Sequence, residues 1–156
     1  MSDERPVTVD LSEFVPFLLN RAGSRVATSF TKVLHTHDLN LPMWRVLAVV
    51  HRREGIRAGE LANATSLERS TISRILGTLT KRGFVRREHG SEDARVVSVH
   101  LTPDGLRLME QLIPHALRHE DVTVADFTEQ EIAHLKNMLR RLYDNMERLE
   151  AAAVKA

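Results

Sequence analysis

The sequence predicts a mainly α-helical fold with a small β-wing, and three patterns within residues 57–101 support this prediction. Residues 72–79 place apolar side chains at the i, i+3, i+4, i+7 spacing of a helix with one buried face. A shorter helical segment, residues 58–64, precedes it across a turn, and residues 84–101 alternate apolar and polar side chains as a β-hairpin does. Two short helices followed by a hairpin indicate a winged helix-turn-helix, with longer helical patterns on both sides of it.

The chain before this stretch contains two predicted helices. An apolar repeat near 3.6 residues runs from Asp10 to about Thr36 and indicates a long first helix. Pro16 would clash with the preceding turn inside a helix, so either a short turn ends at Val15 and the main helix starts with Pro16 at its first position, which we prefer, or the helix kinks there. Pro42 then opens a second helix that ends before Gly55.

The second helix of the helix-turn-helix carries the first functional signal. The turn before it is predicted at Thr65 and Ser66, where Thr65 and Glu68 have the spacing of a capping box, and Gly83 should end the helix. The side chains opposite its apolar face are short or cationic: Arg69, Ser70, Thr71, Ser73 and Arg74. Such side chains can enter a DNA major groove and hydrogen-bond base edges, although a merely solvated helix face has a similar composition.

Two further helices are predicted after the hairpin from their start signals. Thr102 and Pro103 provide an N-cap and a first-turn proline for a fifth helix, which Pro114 should bend. Thr128 and Glu131 have the capping-box spacing at the start of the last helix. The predicted apolar stripe of the fifth helix is Leu106, Met109, Leu112, Ile113 and Leu117, and that of the last helix is Ile132, Leu135, Met138, Leu139, Leu142, Met146 and Leu149.

The first and last helices together predict a dimer. Both are long and amphipathic, and a small winged helix cannot cover both apolar stripes. Burial against the same helices of a second subunit would cover them in a twofold contact, whereas an intramolecular bundle is the alternative. We therefore expect one domain over residues 1–156, with dimerisation helices at about 10–37 and 103–151 around a winged helix-turn-helix at about 42–101.

The composition indicates one soluble globular domain with an uneven charge distribution. The chain has 156 residues, of which 42% are hydrophobic and 28% charged, and its net charge is +1. Residues 52–95 contain ten lysines and arginines against six acidic residues, a balance of +4, so the rest of the chain carries −3. A basic middle on a nearly neutral protein favours a polyanionic partner such as DNA.

The absence of certain sequence features predicts where in the cell the protein acts. The chain has no cysteine, which excludes disulfides and thiol switches and fits a reducing cytoplasm. The first ten residues lack the basic and apolar regions of a signal peptide, and no apolar run approaches the roughly 20 residues that span a bilayer. We expect a cytoplasmic bacterial protein without a membrane partner, associated with the nucleoid when bound to DNA.

Four segments, LPMWRVL, GELANAT, STISRILGTLTKRGFVRRE and SEDARVVSVHLTPDG, resemble the MarR family of bacterial transcriptional regulators, and the resemblance covers nearly the whole chain. The most specific element is Asp93-x-Arg95 followed by Val-Val-x-Val-x-Leu-Thr-x-x-Gly. Residues 89–94 are too long and polar for a tight turn, so they should project. The resemblance implies that Arg95 reaches into the minor groove, that Asp93 orients it, and that Ile56 forms a short strand beside the hairpin.

The resemblance implies a repressor whose terminal helices interlock in a homodimer on a pseudo-palindromic DNA operator. Five residues are candidates for the major groove, namely Arg69, Ser70, Thr71, Ser73 and Arg74, although Arg74 could instead pair with Glu68 or bind phosphate. Four residues are candidates for phosphate contacts, which add affinity without reading sequence: Ser66, Lys81, Arg86 and Arg87. Because there is no cysteine, the peroxide-sensing branch of the family is excluded.

The resemblance also implies a small-molecule effector. In the family, anionic aromatic ligands bind where the dimerisation helices meet the winged helix and change the half-site spacing. The segments FLLNRAGSRV and LPMWRVL are similar to regulators of aromatic-acid catabolism, whose effectors are phenolic acids or their coenzyme A thioesters. The candidate contacts are Arg21, Arg25, Trp44 and His51, although Trp44 could pack in the core and the arginines could form surface ion pairs.

Other functions have weaker support in the sequence. A metal-responsive regulator is one alternative, since His115 and His119 lie four apart and His35 and His37 form a second pair, but no acidic or thiol partner has a matching spacing. We predict no bound metal and no cofactor. An enzyme is not expected, because there is no phosphate loop, nucleophile motif or suggestive carboxylate pair. A winged-helix module that binds proteins would expose apolar anchors on its recognition helix.

Overall fold

The computed structural model describes residues 8–89 and 96–153, so the tip of the wing, with Asp93 and Arg95, lies outside the described residues. The described residues form helices and one small antiparallel sheet, which confirms the mainly α fold with a β-wing. In chain order the elements are α1 (Val15–His35), α2 (Leu41–Arg52), β1 (Ile56–Arg57), α3 (Ala58–Thr65), α4 (Arg69–Lys81), β2 (Val85–His89), β3 (Val97–Leu101), α5 (Pro103–Thr123) and α6 (Glu129–Ala153).

The starts of the first two helices follow from local side-chain signals. Helix α1 begins one residue before Pro16, after a turn in which the Asp10 carboxylate accepts the Ser12 amide at 2.9 Å. The predicted restart of the helix at the proline is therefore confirmed. Helix α2 is capped by Asn40, whose side-chain oxygen accepts the amide of Met43 at 2.9 Å. Asn40 is thus a helix-capping signal that the sequence contains.

The starts of α5 and α6 confirm two sequence predictions. The Thr102 hydroxyl accepts the amide of Gly105 at 3.0 Å, and α5 continues through Pro114. At α6, the Thr128 amide donates to the Glu131 carboxylate at 2.8 Å, and the Glu131 amide donates back to the Thr128 hydroxyl at 3.3 Å. This reciprocal pair is the predicted capping box.

The capping box predicted at Thr65 and Glu68 is wrong. Thr65 is the buried last residue of α3, and its hydroxyl donates to the carbonyl of Leu61 at 2.6 Å. Glu68 is the N-cap residue of α4 but makes no side-chain cap hydrogen bond. A buried hydroxyl needs a partner, and the Leu61 carbonyl one turn back in α3 provides it, so Thr65 serves the helix that ends rather than the helix that begins.

The sheet has the order β1–β3–β2, with antiparallel pairing. Ile56 pairs with Val99, which confirms the short strand beside the hairpin. The buried side chains of the sheet and of α1 to α5 form one core cluster around the helix-turn-helix. Its helical members include Phe30, Leu34, Val46, Leu47, Val50, Leu61, Ile72, Ile75, Leu76, Leu79, Leu108, Met109 and Leu112.

The predicted stripe of α5 is partly wrong. Leu106 and Leu117 are 44% and 57% exposed, whereas Leu108, which we had not included, is buried. The buried face of α5 instead follows Gly105, because a side chain there would collide with the carbonyl oxygen of Phe84. This close approach determines which side of α5 faces the core.

The chain divides into two compact units, one extending to Leu117 and the other beginning at Arg118. Within the first unit, α1 buries only Phe30 and Leu34, both near its end. Within the second, no residue of α6 is buried. The apolar side chains that remain exposed on these two helices include Val15, Phe17, Leu18, Leu19, Val26, Met138, Leu139, Leu142, Met146 and Leu149. None of the helices in residues 8–89 and 96–153 is long and apolar enough to cross a membrane.

Candidate nucleic-acid interface

A left-handed residue forms the turn between α3 and α4. Ser66 has a φ of 54°, and its amide donates to the carbonyl of Ala62. The amide of Leu67 donates to the same oxygen at 3.1 Å, which closes the end of α3. Helix α4 begins at Arg69, so the two helices are joined by three residues, as in a helix-turn-helix.

Helix α4 separates an apolar face from a polar one. Its buried residues are Ile72, Ile75, Leu76 and Leu79, as the spacing predicted. Arg69, Ser70, Ser73 and Arg74 are exposed, Thr71 is half-buried, and Lys81 is exposed in the last turn. The five candidates for the major groove therefore lie together on the side of α4 that the core does not occupy. The Arg74 guanidinium donates to the Thr71 hydroxyl at 3.3 Å, which favours this pairing over the one considered with Glu68.

The structure separates two neighbouring arginines that the sequence grouped together. Successive strand residues point to opposite faces of the sheet, so Arg86 and Arg87 diverge. Arg86 forms an ion pair with Glu88 on its own face. The Arg87 guanidinium lies 4.0 Å from the position that a β-carbon on Gly77 would occupy, so it lies against α4. Arg87 is thus the β2 arginine that extends the polar surface of the recognition helix.

A polar network at the base of the wing involves His100, which the sequence did not single out as a site residue. Its Nδ1 lies 3.0 Å from the Glu54 carboxylate, and its Nε2 lies 3.1 Å from the Ser98 hydroxyl and 3.4 Å from the Glu88 carboxylate. The network joins β2 and β3 to the loop before β1. Gly55 in that loop has a φ of 75°, and a β-carbon there would lie 3.1 Å from the His100 ring.

The start of α5 is fastened to the segment that follows α4. The Thr102 hydroxyl donates to the carbonyl of Gly83, and the Thr102 amide donates to the carbonyl of Phe84 at 3.0 Å. Gly105 packs directly over Phe84, where a side chain would not fit. The Thr-x-x-Gly segment therefore has a physical role, since it anchors α5 beside the end of the recognition helix.

The effector candidates lie on two different grooves of the chain. Arg21 and Arg25 line a groove along α1 together with Phe17 and three small polar residues, Asn20, Ser24 and Thr28. Trp44 instead lines a groove of about 430 Å³ with Arg45 of α2 and the end of α3. The Trp44 ring also packs edge-on against Phe30, with centroids 5.3 Å apart. The two grooves share no lining residue, and His51, which is exposed, lines neither.

The histidine pairs find little support as a metal site. Within the part of the chain that the structure describes, no group of three or more potential ligands is arranged to hold a metal ion. His115 is exposed and His119 half-buried on α5. Two ligands alone do not make the four-coordinate site typical of zinc.

These elements define the class of the protein. Two helices joined by a three-residue turn, an exposed arginine and hydroxyl face on the second, and a hairpin that places Arg87 beside it form a DNA-binding winged helix-turn-helix. The comparison with known proteins is specific to one family: the profile of the MarR family matches residues 39–97.

The family is shown by a relative that spans almost the whole chain. A MarR-family transcriptional regulator from Silicibacter pomeroyi is 30% identical and superposes with a TM-score of 0.77, covering 90% of this chain and 96% of its own. The chain belongs to the MarR family, whose members are transcriptional regulators and not enzymes.

Two further relatives indicate what similar proteins do. BpsR of Bordetella bronchiseptica, whose DNA binding is regulated by 6-hydroxynicotinic acid, is 26% identical with a TM-score of 0.80, over 88% of this chain and 99% of its own. The transcriptional repressor IacR of Pseudomonas putida is 26% identical over 88% of this chain and 82% of its own. Similar proteins thus include a repressor and a regulator that responds to an aromatic acid.

Proposed function

We propose that the chain is a homodimeric repressor that binds a pseudo-palindromic DNA operator and is released by a small anionic aromatic effector. The single observation that carries this proposal is the exposed arginine and hydroxyl face of α4 beside Arg87. Compact polar side chains of this kind can hydrogen-bond base edges in the major groove, whereas a protein-binding helix would expose apolar anchors. The proposed place of action is the bacterial cytoplasm, on the nucleoid.

The proposed DNA contacts divide into reading and positioning roles. Arg69, Ser70, Thr71, Ser73 and Arg74 face the major groove in this assignment. Ser66, Lys81 and Arg87 contact phosphates, and Arg86 contributes less because Glu88 already pairs with it. Arg95, oriented by Asp93, enters the minor groove, where a narrow groove concentrates negative potential. These last two residues lie outside the described part of the chain.

The uncovered apolar faces of α1 and α6 support the proposed dimer. We assign residues of about 10–37 and 103–151 to dimerisation and 42–101 to DNA binding. Exposed apolar surface on this scale marks an interaction site, and a twofold contact would cover both helices. A twofold dimer would place its recognition helices about 34–36 Å apart, so that they enter successive major grooves of a pseudo-palindrome.

The groove on α1 supports an anionic effector. Arg21 and Arg25 are both exposed and line that groove with the ring of Phe17, which combines cations with an aromatic wall. An arginine fork binds a carboxylate or phosphate with two hydrogen bonds. Phenolic acids, or their coenzyme A thioesters, have this chemistry, and the response of the relative BpsR to 6-hydroxynicotinic acid points the same way. Trp44 and His51 remain secondary candidates because they do not line the α1 groove.

The DNA experiment compares arginines that differ in position. An operator is first selected from a pool of random duplex DNA with the wild-type protein, and affinities are then measured by fluorescence anisotropy. Arg95→Ala should weaken binding by about 1–3 kcal/mol, as loss of a specific arginine contact does, while leaving the dimer intact. Arg87→Ala should weaken binding more than the matched Arg86→Ala. If the wild type is not retained even by generic duplex at low salt, the chain is a protein-interaction module instead.

The effector experiment titrates the protein–operator complex with 6-hydroxynicotinic acid, phenolic acids and their coenzyme A thioesters. We expect one of them to release the DNA, with a coupling of about 1–3 kcal/mol. Arg21→Ala or Arg25→Ala should abolish this response with DNA affinity nearly unchanged, whereas the matched Arg45→Ala, in the Trp44 groove, should retain it. If only zinc or nickel ions release the DNA, the chain is a metal-responsive regulator and the aromatic assignment is wrong.

A further inference from the structure

Arg82, the residue that follows α4, reaches the segment that follows α1. Its Nη1 donates to the carbonyl of Asp38 at 2.6 Å, and its Nη2 donates to the carbonyl of His37 at 2.9 Å. The two acceptors lie 45 and 44 residues earlier in the chain. The guanidinium also lies over the ring of Phe84, 4.9 Å from its centroid. A single side chain thus links the end of the recognition helix to the end of the first dimerisation helix.

The segment that accepts these bonds has a closed, well-defined shape. Asp38 has a φ of 53°, and its amide donates back to the carbonyl of His35 at 3.1 Å. The amide of Leu39 donates to the carbonyl of Leu34 at 3.0 Å. Leu34 and Leu39 are both buried. The carbonyls of His37 and Asp38 lie just beyond the negative end of the α1 dipole, where a cation is favoured.

The buried side chains through which α1 contacts the core are apolar. Phe30 and Leu34 are its buried residues, and α1 packs mainly against α2. Apolar contacts are not directional, so they permit small changes in the angle between packed helices. The planar fork of Arg82 makes two hydrogen bonds of fixed direction, and the Phe84 ring beneath it restricts its orientation.

We propose that Arg82 is the positioning residue through which α1 sets the orientation of α4, and hence the spacing of the two recognition helices. This inference rests on the proposed dimer and names a residue through which its DNA binding would be regulated. An effector that moves α1 at Arg21 or Arg25 would move the carbonyls of His37 and Asp38, and the Arg82 fork would carry that displacement to the end of α4. Arg82 then acts on DNA through α4 and not by touching DNA itself.

The distance measurement at the centre of the test needs neither DNA nor effector. Because the chain has no cysteine, Thr80→Cys at an exposed position of α4 introduces one spin label per subunit. Double electron–electron resonance then measures the distance between the two recognition helices. We expect Arg82→Lys and Arg82→Gln, each in the Thr80→Cys background, to broaden the distance distribution about twofold, because a lysine is a point charge without the fork. Arg107→Lys, at an exposed arginine paired with Asp104, is the matched control and should leave the distribution unchanged.

Each outcome decides the proposal. A distance distribution in Arg82→Lys as narrow as in the wild type would overturn it, even if the midpoint of thermal unfolding fell, because Arg82 would then only support the fold. Arg82→Lys keeps the cation beside Phe84, so the test survives if the glutamine variant does not fold. A broadened distribution with a reduced release of operator DNA by 6-hydroxynicotinic acid would extend the role to signalling. If the wild type yields no distance between subunits, the proposed dimer fails, and the role of Arg82 fails with it.

Discussion

The winged helix and the terminal helices have the same apolar periodicity. The apolar face is buried in the winged helix, whereas it is largely exposed in the terminal helices. In the winged helix, residues such as Leu47, Leu61 and Leu79 are completely buried. In α6, which is 25 residues long, no side chain is buried, and Met146 and Leu149 are 54% and 62% exposed. A helical apolar stripe therefore predicts a face that must be covered, but it does not predict whether the same chain or another molecule covers it.

The two regions also differ in their directional contacts. The winged helix is held by the Arg82 fork, by the hydrogen bond from the Thr102 hydroxyl to the Gly83 carbonyl and by the contact of His100 with Glu54, each of which joins residues distant in sequence. In the second unit, Lys136 bonds Glu120 at 2.8 Å, and the capping box fixes the start of α6. We therefore expect substitutions in the two regions to change the free energy of unfolding by different amounts, and variants in each region can test this.

The largest effect is expected from deleting α6, whose apolar side chains are exposed. Deletion of residues from Glu131 onward should leave an aggregating or unfolded chain, because α1 would lose the apolar surface that we expect to cover it. Full burial of one large apolar side chain is worth about 1.5–3 kcal/mol, and α6 carries several. Light scattering and circular dichroism report the result. A folded, soluble monomer after this deletion would contradict the proposed dimer interface.

A substitution in the covered region should have the next largest effect. Gly105→Ala would press a methyl group onto the carbonyl of Phe84, which the Thr102 amide holds in place. We expect the free energy of unfolding to fall by about 1–3 kcal/mol, as overpacking usually causes. Gly59→Ala in α3 is the matched control, since a β-carbon there meets no atom within 4 Å. Equal stability of the two variants in urea titrations would show that α5 is not anchored at Gly105.

A smaller effect of opposite sign is expected on the exposed face of α4. Gly77 lies inside the helix, and an added β-carbon would make only ordinary contact with Arg87. Gly77→Ala should therefore raise the free energy of unfolding by about 0.5–1 kcal/mol, because glycine weakens a helix interior. Thermal unfolding measures this gain. A loss of stability instead would mean that Arg87 packs on α4 too tightly to yield.

The smallest effect is expected at the exposed start of α6 and depends on pH. Hydrogen bonds from the Thr128 amide and hydroxyl hold the pKa of Glu131 below its ordinary value. The stabilisation is therefore complete above the unfolded-state pKa and is lost as the pH falls through the folded-state pKa. Glu131→Gln can keep the cap but should remove this acid sensitivity, whereas Glu129→Gln should retain it. Circular dichroism in an acid titration would reveal identical profiles if the capping box has no such role.

Comparison of the predicted and observed site shows where sequence reasoning was sufficient. The polar face of α4 was predicted because its periodicity is local, and the structure places those residues opposite the buried face. The capping boxes show the limit of the same method. Thr128 and Glu131 obey their spacing, but Thr65 and Glu68 do not, because burial of the Thr65 hydroxyl gives it a different partner.

By itself, the sequence determined the order of helices and strands, the starts of α5 and α6, and the end of α4 just before Gly83, whose φ is 77°. These features depend on periodicity and on caps within a few residues, which a single segment contains. Only the tertiary structure decided that Arg87 rather than Arg86 flanks α4, that Arg82 links the ends of α1 and α4, and that Leu108 rather than Leu106 is buried. Those outcomes depend on which groups meet across long sequence separations, and no local pattern specifies them.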